Sequence, residues 1–189
     1  MSFSSEIVNA IKVLSEGGII LYPTDTIWGI GCDATNDEAV KKIFLLKKRS
    51  ESKSMIVLLD QESKLLSYVK QVPEVAWDLI EFAEKPMTII YDGAKNIAPH
   101  VIAEDGSVGI RVTKDEFCKR LIGKFRKPIV STSANISGKD VPEGFEKIDP
   151  AIISGVDYVV NLRQNEKNNS SASTIIKLGL HGEIKIIRK

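Results

Sequence analysis

The sequence predicts an α/β fold, a single domain in which helices pack on a twisted sheet of mixed parallel and antiparallel strands. The first observation is length, because 189 residues suit one domain, which we take to be residues 1–189. The second is an ordinary globular composition, with 43% hydrophobic and 27% charged residues. The third is order: strand and helix patterns alternate early and strand patterns cluster late, which favours a mixed sheet over a purely parallel one.

Helices are predicted where apolar residues recur at helical spacing between a capping residue and a glycine or a basic end. The predicted segments are 5–15, which ends before Gly17 and Gly18, then 35–49, 75–82, and 115–122, which Gly123 closes. The second segment is the best marked. Thr35 and Glu38 form a capping box at its start. The cations at its end, Lys47, Lys48 and Arg49, favour the negative pole of the helix dipole.

Strands are predicted at short apolar runs bounded by turn residues. They are 19–22, 55–59, 88–91, 108–112, 129–132, 158–162, 174–178 and 184–187. The sequence "LHGE" between the last two predicts their turn. Residues 161–173 are the most polar stretch of the chain, and we expect them to form a mobile loop.

Composition also restricts the class of protein. No apolar run is long enough to span a bilayer and the N-terminus lacks a secretory pattern, so we expect a cytoplasmic protein with no membrane partner. Cys32 and Cys118 are expected to be reduced thiols. With only His100 and His181 as imidazoles, a protein metal site is poorly supplied. A net charge of +1 does not mark a protein that wraps duplex nucleic acid, although a local basic groove could bind a polyphosphate.

Two standard nucleotide-binding signatures can be tested. The P-loop pattern G-x-x-x-x-G-K-[ST] does not occur in the chain. The sequence "GIGCDA" at residues 29–34 fits G-x-G-x-x-A and lies between a predicted strand and a predicted helix, which is the context of a dinucleotide-binding fold. Because short glycine motifs arise by chance, a dinucleotide oxidoreductase is a minor alternative.

Three polar stretches and one strand arginine could carry chemistry. The sequence from Thr24 to Trp28 follows a buried strand, where ligands bind in α/β sheets, although its residue types also form turns. Residues 47–54 are rich in cations and form either an anion site or a solvated helix end. The sequence "STSANISG" at 131–138 forms either a phosphate-binding loop or a helix cap. Arg111 lies in a predicted strand. No nucleophile with an adjacent base is evident. The residues therefore fit chemistry in which the protein positions substrates and neutralises charge, as in transfer at phosphorus.

Five motifs follow one another along the chain: "GGIILYPTDTIWGIGCDA", "KKR", "GIRV", "PIVSTSANISG" and "STIIKL". In this order they resemble the YrdC/TsaC family of threonylcarbamoyl-AMP synthases, from about residue 17 to residue 188. The order of several motifs is more specific than any single one. Longer members of the family carry an added C-terminal domain, and this chain is similar to the short form.

The resemblance implies an ATP-using nucleotidyltransferase on a YrdC-like domain. L-threonine and bicarbonate would give a carbamate that attacks the α-phosphate of ATP, yielding threonylcarbamoyl-AMP and pyrophosphate, with Mg²⁺ accompanying ATP. A downstream tRNA threonylcarbamoyl transferase would then form N6-threonylcarbamoyladenosine at adenosine 37 of tRNA. The family likeness also implies a concave, basic sheet face and names tRNA or double-stranded RNA as a candidate partner.

The resemblance assigns roles to eight residues. They are Lys47 and Arg49, the catalytic and ATP-binding Lys-x-Arg pair; Ser133 and Asn135, the ATP-binding Ser-x-Asn pair; Arg188, a further ATP contact; and Thr26, Arg111 and Ser173, which contact threonine. Cations offset the charge that builds on phosphorus and on departing pyrophosphate, and an arginine fork suits a carboxylate.

Some positions depart from the family pattern, and two alternatives remain. Ser50 and Ser54 stand where prolines are usual, Thr113 replaces a proline after "RV", and a glycine usual before Ser173 is missing. One alternative is a paralogue on the same fold, such as the YciO-type proteins, which tend to lack the Ser-x-Asn pair. The other is an RNA-binding protein without this activity, which the low net charge and the lack of an aromatic RNA-binding motif disfavour.

Overall fold

The structure is a computed structural model that describes residues 3–50, 55–166, 172–180 and 182–189. Its helices are α1 (Phe3–Ser15), α2 (Asp37–Lys47), α3 (Leu65–Tyr68), α4 (Val75–Phe82), α5 (Glu116–Phe125) and α6 (Pro150–Gly155). Its strands are β1 (Ile20–Tyr22), β2 (Gly29–Gly31), β3 (Ile56–Leu59), β4 (Met87–Tyr91), β5 (Val108–Val112), β6 (Ile129–Ser133), β7 (Tyr158–Val159), β8 (Thr174–Leu178) and β9 (Ile184–Arg188). Ser54, His181 of the predicted "LHGE" turn and part of the predicted polar loop lie outside the described residues.

The described strands form a nine-stranded sheet in the order β7-β1-β2-β6-β3-β5-β4-β8-β9. The pairs β1 with β7, β3 with β5 and β4 with β8 are parallel. The remaining neighbouring pairs are antiparallel. The predicted single-domain α/β fold with a mixed sheet is therefore confirmed.

Apolar side chains pack on both faces of the central strands, and alternation along a strand decides which residue lies on which face. In β1, Ile20 and Tyr22 pack with residues of α1 and α5. Leu21, between them, packs into a larger cluster with residues of α2, α4 and α6. In β3, Leu58 joins the α1 and α5 cluster and Val57 the larger one. The sheet thus lies between two apolar layers.

Polar residues gather on the same face as α1 and α5. Residues paired on neighbouring strands direct their side chains to the same face of a sheet. Leu58 pairs with Arg111, and Ile56, two residues earlier in β3, pairs with Ser131. Arg111 and Ser131 therefore lie on the face of Leu58, and there they line a cavity.

Several helix boundaries differ from the prediction: α1 begins at Phe3, α2 ends at Lys47, and the start of α2 and the end of α5 also differ. The N-cap of α2 is Asn36, whose side chain accepts a hydrogen bond from the backbone N–H of Ala39. Thr35 instead donates its hydroxyl to Asp33. The capping box predicted at Thr35 is wrong because asparagine caps at least as well as threonine and lies next to the first helical turn. Helix α5 also continues past Gly123 to Phe125 and ends at Arg126, whose φ of 62° is left-handed.

The glycines of "GIGCDA" lie in a strand and not in a phosphate-binding turn. Gly29 and Gly31 belong to β2, which pairs with β1 and β6, and α2 begins only at Asp37. A Cβ atom on Gly31 would lie 2.5 Å from the carbonyl oxygen of Val130 and 2.7 Å from the ring of Tyr22. Gly31 therefore permits close packing, and the dinucleotide alternative loses the strand, turn and helix order on which it depends.

Candidate ligand-binding site

A cavity of about 210 Å³ opens on the sheet face that carries Arg111. Its walls come from the turn between β1 and β2, the start of β3, the end of β6, and the strands β5, β8 and β9. Its polar lining consists mainly of hydroxyl and guanidinium groups, from Thr24, Thr26, Ser131, Thr132, Ser133, Ser173, Arg49, Arg111 and Arg188. Its apolar lining comes from Ile27, Met55, Ile56, Val141, Ala172 and Ile175. The fold thus brings together segments that lie far apart in the sequence.

The turn between β1 and β2 fixes two threonine hydroxyls. Thr24 Oγ1 donates to the carbonyl oxygen of Ile27 at 2.7 Å and accepts from the backbone N–H of Thr26 at 3.1 Å. Thr26 Oγ1 lies 3.0 Å from Thr24 Oγ1 and accepts from Nη1 of Arg111 at 3.2 Å. Such local side-chain bonds to the backbone stabilise a turn. They also give the Thr26 hydroxyl a fixed place beside a guanidinium group.

Arg111 is buried and held from two sides. Its side chain is 4% exposed, and Nη2 lies 3.3 Å from Oδ1 of Asp25 in an ion pair. Nη1 donates to Thr26. Nε is buried and has no hydrogen-bond partner within the part of the chain that the structure describes. Because a buried N–H without a partner is unfavourable, this guanidinium group keeps an unsatisfied donor next to the cavity that Arg111 lines.

Ser173 and Arg188 bring two late strands to the cavity. Nε and Nη2 of Arg188 donate to the carbonyl oxygen of Ser173 at 3.0 and 2.8 Å. The hydroxyl of Ser173 lies 2.9 Å from that of Thr88 in β4, which is fully buried. Ser173 is therefore fixed by β4 on one side and by β9 on the other.

The cavity is electropositive. Arg49, Arg111 and Arg188 are the charged side chains of its described lining, which includes no carboxylate. Burial lowers the pKa of Arg188, and the charge of Arg111 lowers it further. Burial also lowers the pKa of Arg49. Arginine stays protonated at neutral pH, so these shifts reflect the cost of holding cations together away from water. A bound phosphate or carboxylate would offset that cost.

Lys47 and Asn135 lie behind the cavity wall. Lys47 is 1% exposed, and its ammonium group donates to the carbonyl oxygens of Ser133 and Asn135 and lies 3.4 Å from Oδ1 of Asn135. Asn135 Oδ1 accepts from the hydroxyl of Ser133, and Nδ2 donates to the carbonyl oxygen of Lys139 at 2.6 Å. Burial lowers the pKa of Lys47 to about 7, with the charge of Arg49 as a second cause. The surrounding oxygens oppose that shift because they favour the ammonium form.

The structure brings most of the predicted site residues together. Those that line the cavity are Thr26, Arg49, Arg111, Ser133, Ser173 and Arg188. Lys47 and Asn135 are not among its described lining residues, and they contact each other instead. Trp28, at the end of the predicted polar stretch, is buried in the larger apolar cluster beside the ring of Phe145. The roles assigned to all eight residues stay predictions.

Several contributors to the site were given no individual role by the sequence analysis. Asp25 contacts Arg111, and Thr88 contacts Ser173. Aspartate is common in turns and threonine in strands, so neither residue type marks a binding site by itself. Ser131 was part of a hydroxyl-rich motif without a separate role. Met55 and Val141 carried no signal, because an apolar side chain at a loop or strand end has no pattern that marks it as a ligand contact.

Metal and thiol chemistry have little support in the described parts of the chain. No group of three or more His, Cys, Asp or Glu side chains that could hold a metal ion occurs there. Cys32 and Cys118 are buried free thiols, in agreement with the prediction.

Within residues 3–50, 55–166, 172–180 and 182–189, no helix has the length and apolar character needed to cross a membrane.

Comparison with known proteins identifies the family. A family model for Sua5, YciO and YrdC, described as "Telomere recombination", matches residues 12–189. The chain belongs to the Sua5/YciO/YrdC family. A curated relative from Pseudoalteromonas translucida, named threonylcarbamoyl-AMP synthase, is 32% identical over 187 residues, which cover 97% of this chain and 98% of the relative. The family predicted from the order of motifs is therefore confirmed.

Solved structures of the family share the fold. The structure of P. abyssi Sua5 complexed with L-threonine has a TM-score of 0.82 and 24% identity, covering 94% of this chain and 52% of that chain. E. coli YciO has a TM-score of 0.79 and 21% identity, covering 97% of this chain and 88% of that chain. This chain thus spans about half the length of the Sua5 protein. Because the same fold serves both proteins, activity has to be argued from the site.

Proposed function

We propose that this chain is a threonylcarbamoyl-AMP synthase, an enzyme of the nucleotidyltransferase type. The observation that carries the proposal is the cavity, in which three guanidinium groups and fixed hydroxyls meet without a carboxylate in the described lining. The name of the P. translucida relative supports the same activity over 97% of the chain. Threonine and ATP together bring the carboxylate and the phosphates that such a cavity suits.

The proposed reaction needs no nucleophile from the protein. The amine of threonine adds to bicarbonate and water is lost, which gives a carbamate. A carbamate oxygen then attacks the α-phosphorus of ATP, the bond from that phosphorus to the bridging oxygen breaks, and pyrophosphate leaves. The products are threonylcarbamoyl-AMP and pyrophosphate. Catalysis of this kind consists of positioning and charge stabilisation, which fits a site without a nucleophile and base pair.

Threonine is assigned to the end of the cavity that holds Arg111. Its carboxylate would accept from the guanidinium group, whose Nε has no partner among the described residues. Thr26 and Ser173, whose hydroxyls are fixed by Thr24 and Thr88, would contact the rest of the amino acid. Prior anchoring of these hydroxyls lowers the entropy lost when the ligand binds.

ATP is assigned to the end that holds Arg49, Ser133 and Arg188. Their guanidinium and hydroxyl groups would contact the phosphates and stabilise the charge that moves onto pyrophosphate. Mg²⁺ would arrive with ATP and be held chiefly by its phosphates, since Mg²⁺ commonly binds substrate phosphates with few protein ligands. The described residues provide no metal cage of their own.

The proposed product places the chain upstream of a transferase. Threonylcarbamoyl-AMP carries an activated threonylcarbamoyl group, and a downstream tRNA threonylcarbamoyl transferase would move that group to adenosine 37 of tRNA in the cytoplasm, with AMP as the leaving group. Direct binding of tRNA or double-stranded RNA by this chain is a separate proposal. The electropositive cavity supports it only weakly, because the net charge of the whole chain is +1.

The decisive experiment measures pyrophosphate release by the purified chain. ATP, Mg²⁺, L-threonine and bicarbonate are supplied together and then each of the three substrates is omitted in turn. We expect release only when all three are present, with threonylcarbamoyl-AMP identified by mass spectrometry. Release that continues without threonine would point to a simple pyrophosphohydrolase and contradict the proposal.

A folded chain that releases no pyrophosphate would favour the paralogue without this activity. Circular dichroism establishes that the sample is folded. Electrophoretic mobility of a double-stranded RNA and of a tRNA, with and without the chain, then tests the RNA-binding alternative. A shift that survives at high salt would indicate contacts beyond the phosphates, because attraction to phosphates alone weakens steeply as salt rises.

A further inference from the structure

We infer that Lys47 is a positioning residue, whose buried ammonium group holds the loop after β6 in the shape that presents Ser133 to the cavity. Arg49, two residues later, is the member of the Lys-x-Arg pair that faces the cavity. The inference deepens the proposed function and depends on it for the identity of the ligand as ATP. The loop contacts themselves are independent of that identity.

The contacts of Lys47 converge on backbone oxygens. The ammonium group donates to the carbonyl oxygens of Ser133 and Asn135 and lies 3.4 Å from the side-chain oxygen of Asn135. An ammonium group has three N–H donors and no acceptor, so these three oxygens match its capacity. The residue is 1% exposed, and no described part of its surface belongs to the cavity lining.

Asn135 completes the same network. Its side-chain oxygen accepts from the Ser133 hydroxyl at 2.5 Å, and its side-chain nitrogen donates to the carbonyl oxygen of Lys139. Both ends of the amide are therefore engaged inside the loop. In the Ser-x-Asn pair, Ser133 lines the cavity and Asn135 fixes the backbone behind it.

The main chain joins α2 to the loop a second time. The backbone N–H of Ser137 donates to the carbonyl oxygen of Lys47 at 2.8 Å, where α2 ends. The backbone N–H of Lys139 donates to the carbonyl oxygen of Ile136 at 3.0 Å. The last turn of α2 therefore acts as a template for residues 133–139, through its side chain and its backbone. Each of the two motif pairs contributes one residue to the cavity and one to this template.

Amide hydrogen exchange of the free protein tests the loop directly. In Lys47→Met the amides of residues 133–139, including those of Asn135, Ser137 and Lys139, should exchange at least about tenfold faster than in the wild type, because local opening becomes easier. Lys47→Arg keeps a positive charge and several donors and should recover part of the protection. Lys48→Met, which removes the exposed neighbouring cation, is the matched control and should leave exchange unchanged.

Binding of a non-hydrolysable ATP analogue links the loop to the ligand. Lys47→Met and Asn135→Ala should each weaken binding by roughly ten- to a hundredfold, because Ser133 would no longer be held in place for a charge-assisted hydrogen bond to a phosphate. Because both substitutions break the same hydrogen-bond network, the double variant should bind the analogue only slightly more weakly than the weaker-binding of the two single variants. Arg49→Met should weaken binding without changing exchange in residues 133–139. When Arg49→Met is combined with Lys47→Met, the two losses of binding free energy should add.

The two readouts separate the possible failures. Weaker binding in Lys47→Met with unchanged exchange would overturn the inference and make Lys47 a direct ligand contact. Unchanged exchange and unchanged binding would overturn it as well. If Lys47→Met does not fold, Lys47→Arg and Asn135→Ala carry the same test. If the wild type binds no analogue and releases no pyrophosphate, the proposed function fails, and the exchange data still decide whether Lys47 shapes the loop.

Discussion

At the scale of a single residue, Arg111 has two fixed partners and, in the proposed site, would also donate an N–H to the threonine carboxylate. Nη1 contacts the hydroxyl of Thr26 and Nη2 contacts the carboxylate of Asp25. Nε is the buried donor without a described partner. A planar guanidinium can direct donors to three sides at once, whereas the single ammonium of lysine cannot. The identity of this residue therefore matters more than its charge.

Arg111→Lys should raise the KM for L-threonine by about tenfold or more, because a hydrogen bond to a charged group contributes roughly 1.5–3 kcal/mol. The KM for ATP should change less, since Arg49 and Ser133 lie at the other assigned end of the cavity. Steady-state pyrophosphate release at varied threonine and varied ATP measures both. Arg120→Lys, on an exposed arginine of α5 that pairs with Glu116, is the matched control and should leave both values unchanged. An unchanged KM for threonine in Arg111→Lys would remove this residue from the threonine site.

At the scale of an element, β8 is tied to the turn before β5 by one lysine. Nζ of Lys177 lies 2.8 Å from Oδ2 of Asp105 and 3.2 Å from Oδ1 of Asp92. Asp105 also accepts from the backbone N–H and the hydroxyl of Ser107. The hydrogen bond from Lys177, followed by those from Ser107, lowers the pKa of Asp105 to about 2 from its ordinary 3.8. This contact supports the β4 and β5 hairpin to which β8 is added.

The sign of the pH effect follows from the direction of that shift. A carboxyl group with a lowered pKa in the folded state stabilises the fold fully above 3.8, and the contribution is lost as the pH falls through about 2. Lys177→Met should therefore lower the melting temperature at pH 6 and approach the wild type near pH 2. Because Asp105 is 56% exposed, we expect at most about 1 kcal/mol. Thermal melts from pH 6 to pH 2 measure the difference. If the difference in melting temperature between Lys177→Met and the wild type stays constant over this range, the Asp105 contact is not its source. Lys177→Arg keeps the positive charge and should melt like the wild type.

The elements also show what the sequence could and could not predict. Strands with apolar runs were predictable, but β2 was missed because two of its three residues are glycines, which favour turns. The short helices α3 and α6 have too few residues for a helical period. In the site, the family resemblance named the three arginines and the hydroxyls of Thr26, Ser133 and Ser173, which line the cavity. The burial of the Lys47 side chain could not be predicted. A lysine in the last turn of a helix is usually solvated, and the burial of Lys47 depends on the loop at residues 133–139, which is distant in the sequence.

At the scale of the whole molecule, the sheet couples two apolar layers. Leu21 and Ile20 are neighbours in β1 but belong to different clusters. Leu121 in α5 is fully buried in the layer on the α1 side, whereas Leu21 is fully buried in the other layer. Because adjacent residues of β1, β3 and β6 anchor opposite layers, one layer cannot loosen without disturbing the strands that hold the other. The prediction that residues 1–189 form one domain, which came from chain length, therefore requires the two layers to unfold together.

Leu21→Ala and Leu121→Ala should each destabilise the protein by about 2–5 kcal/mol, the usual cost of a cavity at a fully buried leucine. Each variant should still unfold in one transition that shifts as a whole, because the two layers share one sheet. The losses should add in the double variant if the two sites share no contacts. Chemical denaturation followed by tryptophan fluorescence and by circular dichroism measures this, and Leu66→Ala, on a side chain that is 53% exposed, is the control. Two separate transitions, with only one of them moved by Leu121→Ala, would mean that the layers unfold independently and that the single-domain prediction is wrong.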